Sequence, residues 1–206
     1  LDANTTANNN IAIGKNALGA NTTGSENIGI GTSALLNNTS GINNVSIGVS
    51  ALLTNTTGQN NVAIGRSALN VNTTASNNNA FGYQALTSNT TGANNTAFGH
   101  NTLSANTTGA GNFGAGFQVL QANTTANYNT AIGYNSLNVN TEGTENVSLG
   151  SFAGDANTTG SYNVAVGGSA LSANTTASNN TAVGHQAGLS VTTGTGNTLI
   201  GQGAGQ

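Results

Sequence analysis

A repeat of 17 residues runs through this chain twelve times without an insertion or a deletion. From Asn4 the first units read NTTANNNIAIGKNALGA and NTTGSENIGIGTSALLN, and the last unit, VTTGTGNTLIGQGAGQ, ends one residue short at Gln206. A fixed short period means that each unit is one coil of a stack, because neighbouring units bury a core that none could form alone. Positions 1 to 17 are counted here from the first residue of each unit, and the units are called coils one to twelve.

Three positions of the unit never vary: Thr at position 2, Asn at position 7 and Gly at position 11. The invariant Asn residues are Asn10, Asn27, Asn44, Asn61, Asn78, Asn95, Asn112, Asn129, Asn146, Asn163, Asn180 and Asn197. The invariant Gly residues are Gly14, Gly31, Gly48, Gly65, Gly82, Gly99, Gly116, Gly133, Gly150, Gly167, Gly184 and Gly201. In a stack, each such set becomes a ladder of identical side chains.

Positions 7 to 10 alternate in the manner of a strand, as in Asn44-Val45-Ser46-Ile47. Seventeen residues are too few for two helices with their turns, and dense Gly, Asn and Thr disfavour helix. The chain also lacks the Asn-Gly and Asp-Gly pairs of tight hairpins. The sequence therefore predicts an all-β fold, a parallel β-solenoid (β-roll) of twelve 17-residue coils, as a single domain over residues 1–206.

In a parallel stack each residue lies about 4.8 Å from its equivalent in the next coil. We expect the stacked Asn amides to pair with each other and with otherwise free backbone groups. An invariant Gly indicates either a positive φ or no room for a Cβ atom. Residues 1–3 match positions 15 to 17 of a preceding coil, so we expect both ends of the stack to be continued by end-to-end association or by flanking segments.

The large apolar residues keep to positions 8, 10 and 15, and we expect them to form a thin core. Small residues at positions 9 and 14, such as Ala63 and Ala68, form a second stripe. That stripe either lets the backbone of another chain approach or packs tightly within one coil. We expect self-association, as a homotrimer or as an end-to-end filament.

Charged residues make up only 3% of the chain, and Lys15 and Arg66 are its only cations. Nucleic-acid binding is excluded, since almost nothing can neutralise phosphates. A net charge of −3 gives little repulsion between copies. The chain has no Cys for disulfides and no signal peptide or transmembrane run, so we expect no membrane insertion.

Few residues in the chain could support catalysis. Of its acidic residues, Glu142, Glu145 and Asp155 fall in coil nine, where we interpret them as solvated surface rather than as a catalytic carboxylate pair. His100 and His185 share position 12 but lie five coils apart, about 24 Å at the strand spacing, too far to bind one metal together. We predict that the protein is not an enzyme and uses no cofactor or metal.

Position 12 is chemically the most variable, which indicates an outward face. Four consecutive coils carry rings there: Tyr83, His100, Phe117 and Tyr134. We predict a stripe of rings that stacks on sugars or forms a lateral contact, and ordinary surface variation is the alternative interpretation.

Position 1 begins an Asn-x-Ser/Thr motif, the acceptor for N-glycosylation, in ten coils. These candidates are Asn4, Asn21, Asn38, Asn55, Asn72, Asn89, Asn106, Asn123, Asn157 and Asn174. The same Asn-Thr-Thr sequence is also ordinary turn chemistry.

The motif Asn-x-[VIT]-Ala-Ile-Gly, as in residues 60–65, resembles the head repeat of trimeric autotransporter adhesins. The longer unit, with Asn-Thr-Thr-Gly and with Gly-Tyr-Gln-Ala-Leu at residues 82–86, is similar to the repeat arrays of bacteriophage tail fibres. The first resemblance implies a left-handed parallel β-roll with three chains around one axis. Both imply an extracellular location, on a cell surface or a virion.

These observations favour a structural protein, a segment of an extracellular fibre or filament. The alternative is an adhesin module that binds a glycan or a surface through the rings at position 12. Ice binding through the Thr ladder is less favoured, because adjacent positions 2 and 3 should face opposite ways on a strand.

Overall fold

The computed structural model describes residues 3–206, and over that range it is a stack of parallel β-coils with no helix. Each coil contributes one short strand at positions 8 to 10. The strands are β1 Ile11–Ile13, β2 Ile28–Ile30, β3 Val45–Ile47, β4 Val62–Ile64, β5 Asn79–Phe81, β6 Thr96–Phe98, β7 Phe113–Ala115, β8 Thr130–Ile132, β9 Val147–Leu149, β10 Val164–Val166, β11 Thr181–Val183 and β12 Thr198–Ile200.

All described strands belong to one 12-stranded parallel sheet whose spatial order is the order of the chain. Each residue pairs with the residue one unit later, as Val45 does with Val62 and Ile47 with Ile64. The predicted parallel β-solenoid of 17-residue coils is confirmed. The prediction that residues 1–3 complete a preceding coil concerns Leu1 and Asp2, which lie outside the described residues.

The interior of the stack is filled by small residues and one row of Leu. Positions 9 and 14 are buried, as at Ala63 and Ala68, and so is Leu69 at position 15. Positions 8 and 10 point outward, so that Val62 and Ile64 are half-buried at the surface. The expectation that positions 8 and 10 join position 15 in the core was therefore wrong, and of the two interpretations of the small stripe, the structure shows tight packing within one coil. The interior is too narrow for two large side chains per coil, and the small stripe is instead tightly packed within each coil.

The buried Leu row adopts a backbone conformation that L-residues avoid. Leu52 and Leu69 both have φ 49°, and each is 0% exposed. A left-handed residue costs roughly 1–2 kcal/mol, whereas burial of a Leu side chain contributes about 1.5–3 kcal/mol. Burial thus offsets the backbone strain, and the turn after each strand can carry its one large core residue inward.

The Leu row is interrupted in coil nine, where position 15 is Gly154. The buried apolar residues accordingly divide into two clusters, one that ends at Leu137 and one that begins at Ala153. In coil eleven Gly188 also replaces Leu. There the side chain of Leu199 in the following coil fills the space, since a Cβ atom added at Gly188 would lie 3.0 Å from Leu199 Cδ1. An added Cβ at Gly154 would likewise meet Leu137 Cδ1 at 3.1 Å and Ser148 Oγ at 2.9 Å, so the two clusters are separated because coil nine supplies no large core residue of its own and not because a space is left open.

Two ladders of buried Asn join the coils. At position 7, Asn44 N–H donates to Asn27 Oδ1 (3.0 Å) and Asn44 Nδ2 donates to Gly58 O (2.9 Å). At position 1, Asn55 Nδ2 donates to Asn38 Oδ1 (2.8 Å) and to Gly58 O (3.0 Å). The predicted pairing of Asn amides with each other and with backbone groups is confirmed. The carbonyl oxygen of Gly58 accepts a hydrogen bond from each of the two ladders.

The invariant Gly at position 11 has a positive φ, and it also has no room for a Cβ atom. Gly48 has φ 136°, and a Cβ atom there would lie 2.6 Å from Gly65 O. Each such Gly faces the backbone of the next coil, except that nothing lies within 4 Å of an added Cβ at Gly201, which has φ 118°. Any side chain at this position would force the coils apart.

We expect Gly48→Ala to lower the free energy of unfolding by about 2 to 4 kcal/mol, because it combines backbone strain with a clash against the next coil. Gly201→Ala is the matched control, since it keeps the strain without the clash and should cost clearly less. Chemical denaturation followed by circular dichroism measures both variants. Equal losses for the two would mean that the contact between coils does not matter.

Candidate functional site

The outward surface of the sheet exposes a row of large apolar side chains. The name strand face is used here for the side chains at positions 8 and 10 of the twelve strands. Ile13, Ile47, Phe98 and Ile132 are 58%, 36%, 41% and 43% exposed on it. Apolar rows this long, with few charges nearby, are typical of surfaces that are covered by a partner.

The structure brings the four rings predicted at position 12 into one column. The centroids of Tyr83 and His100 are 5.1 Å apart, those of His100 and Phe117 5.1 Å, and those of Phe117 and Tyr134 5.3 Å. The interplanar angles are 19°, 13° and 5°, so the rings stack face to face. Their faces cover one another and their edges point to solvent.

This stacking limits what the column can bind. Sugars pack on the open face of an aromatic ring, and here the inner faces are already occupied by neighbouring rings. At the upper end of the column, Phe152 approaches Tyr134 edge-on, with the centroids 5.3 Å apart. The column is therefore better suited to edge contacts with a flat surface than to ring-face stacking on a glycan.

A second pair of stacked rings lies on the strand face and was missed in the sequence. Phe81 and Phe98, at position 10, have centroids 4.7 Å apart and an interplanar angle of 12°. Phe113, at position 8 of the next coil, is tilted against Phe98 at 6.4 Å. The signal was present in the 17-residue spacing of the two Phe residues, but position 10 was assigned to the interior.

The candidate glycosylation residues at position 1 lie inside the stack. Asn21, Asn38, Asn55 and Asn72 are 0% exposed, and the amide nitrogen of Asn55 has the two partners described above. Asn4, in the first coil, is exposed. The other nine candidates are structural ladder residues, so the interpretation of the motif as turn chemistry fits the structure and a glycan on those nitrogens does not.

We expect the folded chain to carry no N-glycan on the buried Asn ladder when it is secreted from a glycosylating cell. A glycan at Asn55 would remove the amide bonds to Asn38 and Gly58 and would not fit between the coils. Mass spectrometry of the soluble, protease-resistant fraction, with and without peptide N-glycosidase, checks this. Asn4 is the internal control, and an intact glycan on Asn55 or Asn72 of folded protein would contradict the structure.

The charged residues do not converge on a site. Glu26, Glu142 and Glu145 are exposed, as are Lys15 and Arg66. Within residues 3–206 no group of three or more His, Cys, Asp or Glu side chains comes together, and the surface there forms no pocket. His100 and His185 share a face but are separated by the intervening coils, as their positions predicted.

Among the acidic residues that the structure describes, Asp155 is the one held in an unfavourable environment. Its Oδ1 atom is buried without a hydrogen-bond partner, and desolvation by burial raises the pKa of the carboxyl group. Asn occupies the same position 16 in coils four and eight. There Asn70 Nδ2 donates to Ser50 O (2.9 Å) and Asn138 Nδ2 donates to Gln118 O (2.7 Å). A carboxylate oxygen cannot donate such a bond.

We expect Asp155→Asn to raise the melting temperature at pH 7. The pKa of Asp155 is higher in the folded state than its ordinary value, because burial disfavours the charged form. The stability that protonated Asp155 contributes is therefore lost as the pH rises through the folded-state pKa. At neutral pH the charged carboxylate lowers the stability of the folded protein. The gain should shrink as the pH falls below about 4, where the carboxyl group is protonated in both states. Thermal melts from acidic to neutral pH measure this, with exposed Glu142→Gln as the control. A gain that does not depend on pH would contradict the assignment.

No family model matches the chain, and no curated protein or solved structure is significantly similar to it. Across the described residues, no helix is both long and apolar enough to cross a membrane.

Proposed function

We propose that the chain is a structural segment of an extracellular fibre, a shaft or head on a cell surface or a virion, that assembles with copies of itself. The observation that carries the proposal is the strand face, whose row at position 10 is apolar in every coil and runs the length of a regular stack. The extracellular location rests on the resemblance of the 17-residue unit to the repeats of adhesin heads and phage tail fibres.

The interior of the stack supports a mechanical role. Every coil is bonded to the next through the sheet, the Asn ladders and the Thr carbonyls, and the described chain encloses no pocket for a small molecule. Twelve strands at about 4.8 Å make a rod of about 53 Å between its first and last strands. A rod whose coils are bonded to one another along its whole length transmits force along its axis and offers its surfaces for contact.

The size of the strand face supports assembly with another copy. Its two outward rows lie about 7 Å apart, so with the width of the side chains the face covers roughly 700 Å² along the rod. A stable interface buries about 800 Å² on each partner. Because the face carries no charged residue, two copies meet there without desolvating an ion. We propose a homotrimer in which the strand faces are buried.

Glycan binding through the rings at position 12 gains no support from the geometry. The ring faces are occupied within the column, as described above, and no polar side chains converge on it to form a pocket. The column is a better candidate for a lateral contact between fibres.

We expect the purified chain to sediment as a multimer with a mass of about 60 kDa, three times that of the 20.1 kDa chain. The triple variant Ile30→Thr, Ile47→Thr, Ile64→Thr keeps β-branched residues in the strands but makes the strand face polar. It should weaken association at least tenfold, since each lost methylene contributes about 0.8 kcal/mol. Analytical ultracentrifugation over a range of concentrations measures the association.

The matched control is Val71→Thr with Val139→Thr, which makes a similar change at position 17, away from the strand face; Val139 is 38% exposed. Circular dichroism should show the same β-signal for all three proteins. A wild-type chain that remains monomeric at every concentration, or an equal effect of the two sets of substitutions, would overturn the proposal.

A further inference from the structure

The Thr row at position 3 has no structural explanation inside the stack. Its side chains are exposed in all twelve coils, and their hydroxyl groups make no hydrogen bond to any described residue. Other exposed positions vary freely, as position 12 does from Lys to Phe. Position 3 nevertheless remains Thr in ten coils, with Ser40 and Glu142 as the exceptions. The uniformity of an exposed, unbonded row indicates that its surface is used.

The backbone under this row is held in place. The N–H groups of Thr39, Ser40 and Gly41 all donate to Thr56 O, at 3.0, 3.1 and 3.2 Å. The hydroxyl group of Thr39 donates to the same oxygen at 3.1 Å. Equivalent bonds recur along the stack, as from Thr56 Oγ1 to Thr73 O at 3.1 Å. Position 2 is thus held by its hydroxyl bond in most coils, and position 3 is anchored through its N–H group in coils such as those of Thr23, Ser40 and Thr91.

Both Thr rows reach the surface, contrary to the expectation from strand alternation. Positions 2 and 3 lie in a bend outside the strands, and none of their side chains is buried. Two adjacent rows of methyl and hydroxyl groups therefore repeat about every 4.8 Å along the rod. Glu142 is their only charged residue.

We propose that this Thr face binds ice. A rigid array with a regular repeat matches a partner that is itself periodic, and an array without charge matches a partner without charge. Exposed hydroxyl groups both donate and accept hydrogen bonds, as lattice water does, and the methyl groups between them order the adjacent water. Because the array is already rigid, little conformational entropy is lost on contact with a crystal. This inference is independent of self-association, which uses the strand face.

Thermal hysteresis and partitioning into a growing ice hemisphere test the proposal on the full chain. The wild-type protein should depress the freezing point below the melting point and enter the ice. The triple variant Thr74→Lys, Thr91→Lys, Thr108→Lys should lose both activities. The matched control, Tyr83→Lys, His100→Lys, Phe117→Lys, places the same charges in the same coils at position 12 and should keep them.

Two further variants secure the interpretation. Thr74→Ser, Thr91→Ser, Thr108→Ser removes only methyl groups, so it should fold normally and show reduced hysteresis. Glu142→Thr completes the row and should increase it. A wild-type chain with no hysteresis and no partitioning into ice, or Lys and Ser variants as active as the wild type, would overturn the proposal, and neither result bears on the multimer measured by ultracentrifugation.

Discussion

The rest of the structure depends on one interaction, the repeated amide pairing of Asn side chains across the interior. A coil with a three-residue strand leaves most of its backbone carbonyl and N–H groups outside the sheet, and such groups must be paired when they are buried. Most of these groups pair with the backbone of the next coil, as Leu35 N–H does with Ala51 O (3.0 Å), and the two Asn ladders pair groups that this backbone pairing leaves over, such as Asn44 N–H and Gly58 O. Asn44 and Asn55 reach the same carbonyl oxygen, Gly58 O, from opposite sides. Because each amide must meet a partner one unit away, an insertion or deletion would break the ladders on both sides of it, which explains why the period never changes.

The Asn ladders also determine which side chains can be apolar and where. Two polar rows occupy the corners of the interior, and only a narrow channel remains between the strand and the turn that follows it. Ala63 and Ala68 fit in this channel with a single Leu. The large β-branched residues of each strand are then displaced to the surface. The same packing constraint that makes the interior rigid therefore makes the exterior apolar, and the fold and the proposed assembly have one cause.

The sequence predicted the period, the parallel stack and the roles of the invariant Asn and Gly residues, because each of these follows from repetition alone. It did not predict which face of the strand is inward. Val62 and Ile64 are larger and more apolar than Ala63, and the usual assignment of large apolar residues to the core fails where the interior is only one side chain wide. The prediction of glycosylation failed for a related reason. Asn55 is a core residue, and the Thr residues that follow it complete an Asn-x-Thr motif only as part of the turn. Positions 2 and 3 were treated as strand, but the Thr carbonyl at each coil draws them into a bend.

The absence of a Leu at position 15 of coil nine, where the residue is Gly154, has a mechanical consequence. In a stack where each coil touches only its neighbours, resistance to tension is set by the weakest junction rather than by the average. Coil nine lacks the Leu that links the interiors of coils eight and ten, and it also carries the desolvated Asp155 carboxyl group. The buried apolar packing is therefore discontinuous at coil nine, with eight coils on one side and three on the other. In the proposed fibre, we expect the rod to extend first at this discontinuity, before the remaining coils are disturbed.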